Sequence, residues 1–173
     1  MLRVQITRSG LAAIGKRGFQ EAGRAAIQAA AQYWFDNYLK LHFEDIAYRR
    51  YRYANRNRKY EESKAHKRKA DDGLNALGEV KPLVFTGRSR ERALSAPNIK
   101  AKAPNYQTYR ADVVINAPAF NFGIGKRIDM RDEVTRFTPQ EEKTMERVFA
   151  AEWEKQLIAR GAASPRKTRR TAA

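Results

Sequence analysis

The chain opens on a period of two. Leu2, Val4 and Ile6 alternate with Arg3, Gln5 and Thr7, as in a half-buried strand, until Ser9-Gly10 breaks the pattern. From about Lys16 the period becomes helical. Phe19, Gly23, Ile27, Ala30, Trp34, Tyr38 and Leu41 fall on one face, and Phe35, Leu39 and Phe43 widen the stripe. The spacing predicts one core-packing helix of about 25 residues. Alanines at 25, 26, 29, 30 and 31 support it locally and allow a neighbouring backbone close.

Between residues 46 and 70 the apolar period is lost apart from tyrosines, and Asp71-Asp72-Gly73 and Gly78 punctuate the return. Lys81 to Leu94 reads as a strand end, a Thr-Gly turn and a short helix carrying Arg88, Arg90 and Arg92, stopped by Ala96-Pro97. Thr86 is placed to cap that helix and Gly87 to relieve the turn, with Leu83 and Phe85 as anchors to the core. Ile99–Ala103 and Tyr106–Asn116 predict two strands joined at Pro104-Asn105. Tyr109, Ala111, Val113 and Ile115 form the buried face of the second strand, and Arg110, Asp112 and Asn116 the wet one.

Residues 117 to 132 read as a loop, and Glu133 to Phe137 as a final strand. Thr138, Pro139 and Glu141 are an N-cap, a first-turn proline and a capping-box partner. Met145, Phe149, Trp153 and Leu157 then recur every fourth residue until Gly161. Together these elements predict an α+β domain, with a long N-terminal helix and a late helix packed on a small, mainly antiparallel sheet. One domain is expected over residues 1–160, with a basic arm at 46–70 and a basic flexible tail at 161–173.

Charge changes the picture. The formal net charge is +16 over 173 residues. Residues 46–70 hold ten Lys and Arg against two Glu, and five basic residues with no acidic one follow from Arg160 onward. Two runs of one sign repel themselves unless a partner neutralises them. Arg49, Arg50, Arg52, Arg56, Arg58, Lys59, Lys67, Arg68 and Lys69 in the arm, interleaved with Tyr51 and Tyr53, are candidate contacts. Arg88, Arg90 and Arg92 in the short helix join them, as do Arg166, Lys167, Arg169 and Arg170 in the tail. Arg and Tyr suit phosphate pairing and stacking, and equally suit protein interfaces, so composition leaves nucleic acid and an acidic protein surface level.

Little points to catalysis. The only histidines are His42 and His66, and there is no cysteine, so thiolate zinc sites and disulfides are excluded. His42, Glu44 and Asp45 do not converge on one metal from neighbouring helical positions. Gly123-Ile-Gly-Lys126 lacks the spacer and the Ser or Thr of a phosphate loop. No cofactor, metal or catalytic residue is assigned, and an enzyme is not expected. No apolar run approaches the roughly 18 residues that cross a bilayer, and the N-terminus lacks the features of a signal peptide.

Pro82, Leu83, Thr86, Gly87 and Arg88, followed by the charged helical turn, resemble the central motif of tailed-bacteriophage neck and tail-completion proteins. Ser89 and Ala93-Leu94 depart from the usual residues. The order of strand, alanine-rich helix, charged segment, motif, small strands and late helix is similar to that group over residues 1 to 160. The resemblance implies a virion protein assembled in the host cytoplasm, a cyclic oligomer of roughly six or twelve copies, docked between connector and tail proteins. It implies at most nonspecific contact with the DNA backbone and none with a membrane. The other reading of the same basic runs is a cellular nucleic-acid-binding protein.

Overall fold

The computed structural model describes residues 2–7, 15–54, 83, 88–95, 97–115 and 129–160. In chain order its elements are β1 (Leu2–Thr7), α1 (Lys16–Asn37), α2 (Ile46–Arg50), α3 (Arg88–Ser95), β2 (Asn98–Lys102), β3 (Thr108–Val114), α4 (Met130–Val134) and α5 (Pro139–Ala159). The predicted α+β architecture is the observed one.

The strands pair antiparallel in the order β1-β3-β2. Ala111 sits opposite both Val4 and Ala101, and Val113 opposite Leu2 and Ile99. The hairpin turn falls where Pro104-Asn105 predicts it. The Asn105 side-chain oxygen accepts from the backbone N–H groups of Gln107 (2.9 Å) and Thr108 (2.7 Å), which turns the chain before β3 begins. Tyr109, Ala111 and Val113 are fully buried, as their shared face requires.

Helix α1 is the centre of the packing, lying on the sheet and against α5. Gly23 is what lets it come so close. A Cβ at that position would overlap the ring of Tyr109. From α5, Met145, Phe149 and Trp153 enter the core at the predicted four-residue spacing. Trp153 meets Tyr109 edge-on at 4.8 Å and stacks with Phe19 at 6.1 Å. The start of α5 is also as expected, with Pro139 in the first turn and the Thr138–Glu141 capping box complete.

Two elements differ from expectation. Helix α1 has 22 residues, and the apolar stripe continues through a tight 3-10 turn, Leu39–Phe43, rather than through further α-helix. Buried Leu39, His42 and Phe43 keep that turn on the core, which is why the hydrophobic pattern outlasts the helix. Glu133 to Phe137 is not a strand, and the expected loop ends earlier, because Met130–Val134 is helical. Asp129 caps it, accepting from the N–H groups of Arg131 (2.9 Å) and Asp132 (3.1 Å), and Asp132 and Glu133 suit the positive end of the helix.

Candidate functional site

The basic run starts inside the fold. Tyr51 and Tyr53, only 3% and 5% exposed, belong to the core together with Ala47. This corrects the expectation of an arm that begins at residue 46 and offers both tyrosines to a partner. The physical reason is an acceptor supplied from far along the chain. Glu141, 0% exposed, accepts through Oε1 from the Tyr51 hydroxyl (2.7 Å) and from Arg50 Nε (2.9 Å). Its Oε2 accepts from the Thr138 N–H (3.4 Å). One carboxylate therefore closes a helix cap and holds the root of the basic run.

The neighbouring groups complete this clamp. The His42 ring stacks on Tyr51 with centroids 3.7 Å apart, and its Nδ1 is hydrogen-bonded to the Tyr53 hydroxyl at 2.5 Å. The Arg50 guanidinium stands 5.7 Å from the centroids of both Tyr38 and Tyr51. Arg136 donates to the carbonyls of Tyr51 (3.3 Å) and Arg52 (2.8 Å) while pairing with Asp132 at 2.7 Å. Glu133 Oε1 accepts from the Ala54 N–H at 3.2 Å. Between these contacts Arg52 takes a left-handed φ of 52°.

Burial sets the protonation states. It pushes the His42 imidazole down to about 3, so the ring is neutral in the fold; the Glu133 backbone offsets part of this without closing a hydrogen bond on Nε2. Burial, then the hydrogen bond to the Glu141 carboxylate, pushes the Tyr51 phenol up, so it stays a donor. What this arrangement does chemically is hold: a protonated phenol and a guanidinium converge on one carboxylate, and a neutral ring stacks on the phenol. A cleft of about 460 Å³ lies elsewhere, between α1 and β2.

The remaining candidates divide by exposure. Arg49, Arg52 and Arg92 are exposed. Arg50 is committed to Glu141, and Arg90 pairs with Glu44 at 3.1 Å, tying α3 to the end of the 3-10 turn. Ala93 of α3 is buried, as is Leu83, the latter with a left-handed φ of 56°. Arg88 opens α3. Arg56, Arg58, Lys59, Lys67, Arg68, Lys69, Arg166, Lys167, Arg169 and Arg170 lie outside the described residues, as do Phe85 and the Thr86-Gly87 turn. Sequence reasoning missed His42, Glu133, Arg136 and the second role of Glu141. Their partners are 79 to 91 residues away for the carboxylates, so no local pattern signals them.

Comparison with protein-family models, curated proteins and solved structures finds no match. Among the described residues no helix is long and apolar enough to cross a membrane, and no group of three or more acidic or histidine side chains is arranged to hold a metal ion.

Proposed function

We propose that the chain is a structural protein of the head–tail joint of a tailed bacteriophage, a neck or tail-completion part rather than an enzyme. The observation that carries this reading is the clamp: a folded α+β body grips the root of the basic run through Glu141, Glu133 and Arg136. The element order supports it, since β1, α1, the charged segment, α3, the hairpin and a capped late helix follow the landmarks of that group. The seating of α3 supports it too, with Ala93 buried, Arg90 committed to Glu44 and Arg92 exposed. In this proposal the body forms a ring of roughly six or twelve copies through head-to-tail contacts. The basic segments beyond Ala54 and Arg160 bind acidic surfaces of adjoining connector and tail proteins, and touch the DNA backbone without sequence preference.

The clamp also sharpens the test. Excising 46–70 would remove core residues, so the informative deletion is 56–70, paired with removal of 164–173. The full chain is expected to give closed rings in electron-microscope class averages. The deletions are expected to keep the fold, judged by cooperative unfolding, and to lose head–tail joining in particles that carry them. Normal joining by both deletions overturns the role of the basic segments. A chain that stays monomeric and binds free duplex or single-stranded nucleic acid tightly, with affinity falling steeply as salt rises, belongs instead to the nucleic-acid-binding class.

A further inference from the structure

The cleft between α1 and β2 has a composition the proposed assembly role does not use. Its floor is small and apolar, with Ala101, Ala103 and Pro104, and its rim carries Arg17, Arg24 and Lys102 against the single carboxylate of Glu21. Lys100 follows the same alternation two residues before Lys102, with both lysines exposed and Ile99 and Ala101 turned inward. Arg17 is already paired with Glu21 at 3.1 Å. Arg24, Lys100 and Lys102 form no ion pair among the described residues. Among the described residues β2 pairs only with β3, so the strand that lines the cleft is an edge of the described sheet.

An edge strand presents backbone donors and acceptors that another extended chain can take up. We infer that β2 and the adjoining cleft are a docking site for an extended segment of another protein, alternating apolar and acidic residues. The segment adds as a strand beside β2, sets small apolar side chains on Ala101, Ala103 and Pro104 on the side of α1, and meets Lys100 and Lys102 on the opposite face with its carboxylates. Pro104 has no N–H to donate and marks the end of the pairing. Nucleic acid fits less well. The apolar floor has no aromatic ring for a base to stack on.

The probe is an eight-residue peptide alternating Val and Glu, titrated against the full chain by fluorescence anisotropy, beside its Val/Lys counterpart and a single-stranded oligothymidylate. Saturable binding of the Val/Glu peptide alone is expected. It should weaken by about tenfold or more in Lys100→Glu/Lys102→Glu, and likewise when alternate peptide nitrogens are methylated. Absence of binding, binding indifferent to methylation, or displacement of the peptide by the oligonucleotide each overturns the inference. These readouts involve neither ring formation nor residues 56–70, so failure here is distinguishable from failure of the assembly role. Unfolding of the double variant at the wild-type denaturant midpoint shows that a lost signal reflects the site and not the fold.

Discussion

Two arginine–glutamate pairs in this molecule teach opposite lessons. Arg50–Glu141 and Arg17–Glu21 have similar distances, 2.9 and 3.1 Å. The first carboxylate is fully buried and shared with a phenol and a helix cap, whereas the second pair is 92% and 44% exposed. In water such a pair is screened and its ordering cost nearly cancels its attraction. Inside the fold the same chemistry becomes structural, because removing one partner leaves the others desolvated and unmatched. Distance says little about which role a pair plays, and surroundings decide it.

The largest expected effect breaks the buried member. Glu141→Ala removes the side-chain half of the α5 capping box and leaves Arg50 and Tyr51 without their acceptor, a loss of roughly 3–5 kcal/mol by urea denaturation. A loss under about 1 kcal/mol would mean that the clamp is ornamental. Gly23→Ala follows, with an expected loss of about 1–3 kcal/mol from overpacking against Tyr109.

The third prediction concerns pH. His42 titrates near 3 in the fold and near 6.5 in the unfolded chain, so between those values the unfolded state takes up a proton that the fold refuses. The His42 contribution to stability is therefore whole above about pH 6.5 and falls by up to about 1.4 kcal/mol per pH unit as pH drops towards 3. His42→Phe should be less stable at neutral pH, having lost the Tyr53 contact, yet show a flatter decline below 6.5; equal slopes in the two proteins would contradict the assignment. Arg52→Gly relieves a left-handed residue and is expected to gain no more than about 1 kcal/mol. Arg17→Ala should leave the unfolding midpoint where it is, which completes the contrast with Glu141.

How legible this was in the sequence depended on range. The start of α5 could be read outright, because Thr138, Pro139 and Glu141 act within one turn. The hairpin and its buried face could be read for the same reason, from alternation and an Asn in the turn, but the face expected to be wet is not: Asp112 is buried and paired with Arg110. The limits of the basic arm could not. Tyr51 and Tyr53 sit among arginines with no apolar period around them, and the groups that draw them inward are His42 and Glu141. Glu133 to Phe137 misled in another way: Val134, Thr135 and Phe137 are strand-favouring residues, but Asp129 caps a helix just upstream. The α1–β2 cleft went unread because neither Arg24 nor Lys102 is unusual until the fold sets them together.

The chain has two tryptophans, and the packing gives each its own address. Trp34 lies edge-on to His42 and beside Phe137, while Trp153 lies between Phe19, Tyr109 and Phe149. Replacing either one with Phe would leave a single tryptophan, excited selectively at the red edge of its absorption, reporting on one end of the α1–α5 contact. The Trp34 emission would register events at the clamp, and the Trp153 emission would register those beneath the hairpin, with no label attached.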